Sequence, residues 1–352
     1  AQRFASLDEL EIANGSGDTD TLTGVETINY GGVMASGDLS GGTSEDITGA
    51  FRRFKSDGTS LLGTHNTLDA AINNASSGEI IIIADGTSVT TDVTIDQAGI
   101  TLLGSGSNGN AATIESTLTI AAKNVTVRGL DFPLGTADVT SIIVDDLSGD
   151  GTTIDDNVFS GNGDSTAIET TGQLGRNGDG LIVTDSLFSG GGRAIHVKSN
   201  NDGGNTEITI TGSTITGMSG QGVLIDDTNG TGGLVEIVGN TFSGNPVGVD
   251  IAAGGTLTDG SSLVVRDNAF TIDDSEVGIQ AGQPLPASFD ESLGESVLAN
   301  DFVLVGSGDG TKVDITQTDG NANQIVITDS GDQDVTGSAG GDVVRLGGGD
   351  DT

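Results

Sequence analysis

The residues best suited to chemistry are concentrated in one short stretch, Arg193-Ala-Ile-His-Val-Lys198. A histidine near a lysine and arginines supplies a proton-transfer group beside fixed positive charge. Such a set would serve elimination or epimerisation of a polyuronate. That chemistry needs a base, neutralisation of the substrate carboxylate by Ca²⁺ or Arg, and a groove with aromatic or basic lining. On a strand, side chains alternate. Ala194, His196 and Lys198 are therefore expected on one face, with Arg193, Ile195 and Val197 on the other. Arg176 would join the patch from the preceding repeat. The plainer reading is a solvated surface, because Glu169 and Asp250 occupy outward positions in flanking repeats and would neutralise the basic pair. Lys123, Arg128 and Arg266 are scattered, and His65 is expected to be structural or exposed.

The composition narrows the classes. Of 352 residues, 59 are Gly, 51 are Asp or Glu and 12 are Lys or Arg, for a net charge of −39. That charge opposes nucleic-acid binding, which needs cations to displace counterions from phosphate. With no Cys, neither disulfide staples nor thiolate zinc sites are available. No apolar run of 18 residues exists to span a membrane. Trp is absent and Tyr30 is the single Tyr, so a sugar ring would find almost no aromatic platform. Acidity with few aromatics usually reads as disorder. Here the apolar residues, 34% of the chain, are arranged in short alternating strings that read as strands.

Those strings repeat. Each ends in a large apolar residue, at Phe132, Phe159, Phe188, Ile215, Phe242 and Phe270, giving gaps of 27, 29, 27, 27 and 28 residues. A second apolar string follows each one, as at Ala194-Ile-His-Val197, and Gly, Asn and Asp separate them. A fixed period of this length signals a repeat architecture in which each period is one coil of a parallel β-helix. An antiparallel β-sandwich is the alternative. One helix is expected over Thr67–Ala75, with Leu68, Ala71, Ile72 and Ala75 on one face and Thr67 or Asn66 as N-cap. It is placed to cap the first coil, ahead of the buried-strand run Glu79-Ile-Ile-Ile-Ile-Ala84.

Two resemblances add to this reading. Residues 67 to 282, with the helix, "GEIIIIADG", "VTIDQAGITLLGSG" and the Asn-x-Phe corners at Asn157, Asn240 and Asn268, resemble the right-handed parallel β-helix superfamily that includes pectate lyases. That superfamily hosts lyases, hydrolases, epimerases and non-enzymes, so the likeness implies a fold and no single activity. The tail, Gly337-Ser-Ala-Gly-Gly-Asp-Val-Val-Arg345 and Leu346-Gly-Gly-Gly-Asp-Asp-Thr352, resembles the repeat-in-toxin (RTX) nonapeptide. That likeness implies Ca²⁺ held by turns containing Gly337, Gly340, Asp342, Gly349 and Asp351, whose carbonyls and carboxylates suit a hard cation. Residues 14–30 are similar to the segment that often follows such repeats.

The expected organisation is all-β. Residues 1–60 form an N-terminal β or linker region, 61–282 a right-handed parallel β-helix with its cap helix, 283–327 a small β region, and 328–352 the start of RTX-type repeats. Ala1–Leu10 carry no signal-peptide pattern, and the abrupt ends suggest a piece of a longer chain. The function expected is a secreted, calcium-dependent bacterial surface-layer, matrix or adhesin scaffold, exported by type I secretion and without catalysis. Its partners would be calcium, further copies of itself, and other matrix components such as polysaccharide. A polysaccharide lyase or epimerase is the first alternative, and a glycan-binding adhesin module the second.

Overall fold

The computed structural model describes residues 28–30, 33–35, 50–58, 60–104, 111–135, 139–145, 148–171, 180–198, 207–226, 234–251, 262–273, 276–281, 300–304, 311–316, 324–327 and 343–345. They build a parallel β-solenoid with almost no helix. Three sheets run along it, and a coil takes one strand from each. Sheet A is 10-stranded and includes Thr153–Asp155, Leu181–Thr184 and Glu207–Thr211. Sheet B is 9-stranded and includes Val158–Gly161, Leu187–Ser189 and Thr214–Thr216. Sheet C is 11-stranded and includes Thr166–Thr170, Arg193–Val197, Gln221–Ile225 and Val247–Ile251. Successive coils pair in parallel, as in Phe159↔Phe188 and Ile195↔Val223. This excludes the antiparallel sandwich, in which neighbouring strands would run in opposite directions.

The sequence dictates this path through its corners. Between sheets A and B the chain turns on two residues. The first takes a left-handed conformation: Asp156 (φ 54°), Asp185 (φ 48°), Gly212 (φ 62°), Gly239 (φ 69°) and Asp267 (φ 56°). Gly and Asp are among the few residues that tolerate it. The second is a buried Asn or Ser, at 157, 186, 213, 240 and 268. These side chains form a ladder along the axis. Asn157 Nδ2 donates to the Val127 carbonyl at 2.9 Å, and Asn157 Oδ1 accepts the Leu130 N–H at 3.0 Å. Asn300 continues the ladder by accepting the Asn268 N–H at 3.0 Å. The ladder satisfies backbone groups that the corner takes out of the sheets.

The core is a column of inward side chains. Phe132, Phe159 and Phe188 stack with ring centroids 4.8 Å and 4.8 Å apart, and Phe242 stacks on Phe270 at 4.7 Å. Burial of each ring contributes about 1.5–3 kcal/mol. Small buried residues stand where the chain enters sheet C, at Ala167, Ala194, Gly222 and Gly248, and the last two lie against Phe242 and Phe270. A Cβ on Gly248 would lie 2.5 Å from the Gly278 carbonyl oxygen and 2.8 Å from Phe270 Cε1, so the next coil's backbone and the ring together require glycine there.

Near the start, Phe51–Phe54 pairs antiparallel with both Leu61–His65 and Ile80–Ile83. A short helix, Leu68–Asn73, buries Leu68, Ala71 and Ile72 in the main apolar cluster, and Thr67 Oγ1 caps it by accepting the Ala70 N–H at 3.2 Å. Arg53 joins these pieces. Its Nη1 donates to Glu79 Oε2 at 2.8 Å and its Nε donates to His65 Nε2 at 3.0 Å. Burial, then the Arg53 charge, holds the His65 imidazole below its ordinary pKa. Towards the other end, Asp301–Leu304 pairs in parallel on Ala269–Ile272, and Thr311–Thr316 on Val277–Ala281. Gln324–Ile327 then pairs antiparallel with Thr311–Thr316, and Val343–Arg345 in parallel with Gln324–Ile327. Among the RTX-like residues, Gly337, Gly340, Asp342, Gly349 and Asp351 all lie outside the described residues. Among the described residues no helix is long and apolar enough to cross a membrane.

Candidate functional site

The strand Arg193–Val197 crosses sheet C between Thr166–Thr170 and Gln221–Ile225. Parallel register stacks one outward residue from each coil: Glu169, His196, Leu224, Asp250 and Gln280. The repeat length alone therefore places Glu169 beside His196. The expected face holds for His196 but not for Ala194, which is buried in the core. Ala194 sits near the start of its strand, and its side chain is fully buried. Arg176 lies outside the described residues.

His196 is held on both sides by carboxylates. Its Nε2 donates to Asp226 Oδ2 at 2.6 Å, since an ionised carboxylate can only accept. Its Nδ1 lies 3.5 Å from Glu169 Oε2. The other Glu169 oxygen receives Lys198 Nζ at 2.7 Å. The Lys198 backbone is fixed as well: its N–H donates to Thr170 Oγ1 at 2.9 Å, and its carbonyl accepts from that hydroxyl at 3.0 Å. A second chain runs alongside. Arg193 Nε donates to Gln221 Oε1 at 2.8 Å, and Gln221 Nε2 donates to Asp250 Oδ2 at 3.2 Å.

Although outward-facing, His196 is only 7% exposed and Asp250 only 3%. Burial pushes the Asp250 carboxyl above the ordinary aspartate range. Hydrogen bonding from Gln280 and Gln221 opposes the shift, the Asp226 charge adds to it, and the Arg193 charge opposes it. The cluster thus contains a buried carboxyl whose pKa is raised by burial, a carboxylate–imidazole pair, and a lysine paired with a carboxylate. Glu169 and Asp226 approach opposite sides of one ring, an arrangement unsuited to chelating a single ion. Among the described residues no three His, Asp or Glu side chains converge to hold a metal.

Asp226 and Gln221 were not legible as site residues. The only available signal was positional: Arg193 and Gln221 each open a sheet C strand, 28 residues apart. Asp226 follows the end of its strand, where the pattern of alternation no longer fixes a direction. A separate shallow concavity lies over sheet A, lined by Ile182, Leu234, Thr209 and Glu207 above Gly151 and Gly180. Among the described residues it presents one carboxylate, Glu207, and no His, Lys or Arg. In comparisons with known proteins, the chain matches no family model, no curated protein and no solved structure.

Proposed function

We propose that this chain is a secreted, calcium-dependent bacterial surface-layer, matrix or adhesin protein. In this reading a right-handed parallel β-helix, capped by the Leu68–Asn73 helix, is a non-catalytic scaffold. One observation carries the non-catalytic part: His196 and Lys198, the compact basic pair, are taken up by Asp226 and Glu169 of their own solenoid. Pairing of this kind rigidifies a face and leaves little positive charge for an anionic substrate. The calcium part rests on the RTX-like pattern at Gly337, Gly340, Asp342, Gly349 and Asp351. It also rests on the −39 charge, which keeps copies apart until a divalent cation bridges their carboxylates. Folding of such turns is linked to the ion, because an unneutralised Asp ladder repels itself. Export to a calcium-rich exterior follows from the same reasoning.

The test is light scattering and negative-stain microscopy of the purified chain in chelator and then in millimolar CaCl₂. Ordered assembly that reverses on chelation is expected, and weakens in Asp342→Asn/Asp351→Asn. A monomer indifferent to calcium would overturn the reading.

The 2.6 Å pair of His196 and Asp226 beside buried Asp250 favours one second reading, a polysaccharide lyase or epimerase with the imidazole as base. Incubation with polyuronates and detection of unsaturated or epimerised product decides it. Turnover by the native chain, lost in His196→Ala, would displace the scaffold as sole function.

A further inference from the structure

The outward face of sheet B differs from the other two. Sheet A carries Arg128, Asp155, Glu207 and Glu236 outward, and sheet C carries Glu169, Arg193, His196 and Asp250. On sheet B, five consecutive strands from Val158 to Thr271 place no charged residue outward, in a chain of net charge −39. Their outward positions form two columns of small hydroxyl and apolar side chains. Leu187, Thr214 and Thr241 stand in one column, and Thr216, Ser243 and Thr271 in the other. Leu187, Thr214, Thr241 and Thr271 are exposed. Ser243 Oγ donates to Thr216 Oγ1 at 2.9 Å, so neighbouring coils hold their hydroxyls in a common row. Charge returns at Asp131, which is in register with Val158 at one end of the first column.

The border towards sheet C is low. Glycines with left-handed φ at Gly190, Gly217 and Gly244 end three successive strands without a protruding side chain. A flat surface can therefore approach from that side. The stacked rings beneath report the repeat directly, 4.7–4.8 Å per coil.

We propose that this face of sheet B binds an extended, neutral, β-linked polysaccharide laid along the solenoid axis, about one sugar per coil. The proposal rests on the scaffold reading above and names the matrix partner. Charge selects the occupant. A neutral polymer lying here strips water from no carboxylate or ammonium, whereas on sheets A and C it would have to. A second copy is disfavoured, because the calcium-bridged contact proposed above joins carboxylates of two copies, and the described strands of this face carry none outward. Self-assembly therefore uses other faces and leaves this one free. The coil repeat is close to the advance of one pyranose residue in an extended chain. Successive rings of a β-1,4-linked chain face opposite ways, so hydroxyls and methyls can meet the same ring edge on every second coil. With no aromatic platform each contact is weak, and repetition along the row supplies the avidity.

The experiment is co-sedimentation of the 352-residue chain with swollen β-1,4-glucan, in chelator and in calcium, with calcium-dependent scattering measured in parallel. The native chain is expected to bind in both conditions. Thr214→Glu/Thr241→Glu should lose at least tenfold in affinity while its circular dichroism and its calcium-dependent scattering stay native. Thr214→Lys/Thr241→Lys should lose as much, and Thr209→Glu on sheet A should lose nothing. No binding by the native chain would overturn the proposal. So would tighter binding by the Lys variant, which would mark an anionic partner. Loss of scattering in place of glucan binding would mark a contact between copies and overturn it too. Absence of calcium-dependent scattering with glucan binding intact would sink the calcium reading alone.

Discussion

Asn240 Oδ1 accepts the Ser213 backbone N–H at 2.9 Å, and Asn268 Oδ1 accepts the Asn240 N–H at 2.9 Å one coil further on. The side chain of each coil thus completes the backbone of the one before it. Asn240→Ala would strand the Ser213 N–H and the Ile210 carbonyl, which Asn240 Nδ2 serves at 2.9 Å. The expected loss is about 2–6 kcal/mol, from about 1–3 kcal/mol for each of the two buried unsatisfied groups. Asn240→Ser should lose less, because Ser186 and Ser213 already fill equivalent corners. Urea unfolding followed by circular dichroism measures both.

Phe159 stacks on two rings at once. Phe159→Ala should cost about 3–5 kcal/mol, since a cavity opens in the centre of the column. Phe159→Ile should cost less, because Ile215 occupies the same place two coils on. Hydrogen exchange should show protection falling most in the coils adjoining 159, as expected when each repeat rests on its neighbours. A uniform fall along the solenoid would contradict this nearest-neighbour picture.

Two left-handed glycines should respond differently to a side chain. A Cβ on Gly190 (φ 73°) would lie 1.8 Å from the Gly161 carbonyl oxygen, whereas one on Gly239 (φ 69°) would meet nothing within 4 Å. Gly239→Ala should cost only the left-handed penalty, about 1–2 kcal/mol. Gly239→Asp should be nearly neutral, since Asp156, Asp185 and Asp267 hold that corner elsewhere. Gly190→Ala should cost clearly more than either, because the coil beneath must move. Thermal melts of the three variants give the order.

Asp250 makes stability depend on pH with a definite sign. Its folded-state pKa is raised above 3.8, so over the window between the two values the folded chain binds more protons than the unfolded one. Stability from this group therefore falls as pH rises through that window. Asp250→Asn keeps a polar side chain beside Gln221 and removes the ionisation. The variant should melt above the native chain at pH 7, and the difference should vanish below the ordinary aspartate value. A variant less stable than native at pH 7 would mean that Gln221, Gln280 and Arg193 favour the ionised form more than burial opposes it.

Much of this molecule is written in local pattern. The spacing from Phe132 to Phe270 set the coil length, the alternating strings marked the strands, and Thr67 with Leu68, Ala71 and Ile72 marked the helix. In a solenoid, register follows directly from repeat length, so sequence position is nearly spatial position. That is why the neighbourhood of Glu169 and His196 is legible in the sequence alone. The Asn-x-Phe corners were visible as a motif, but their ladder was not. A buried amide reveals its partners only when the next coil lies upon it.

The sequence by itself determined the repeat and the acidic charge, because each depends on composition and period alone, whereas the parallel course of neighbouring strands was decided by the fold. The tertiary structure decided what the basic stretch amounts to. Asp226 lies beyond the end of its strand, where the alternation of faces stops, so only the folded chain could bring its carboxylate to 2.6 Å from His196. Burial of Asp250 and removal of Ala194 into the core are likewise properties of packing. A side chain's neighbours across the coils, and the water it loses to them, depend on a path that no local pattern specifies.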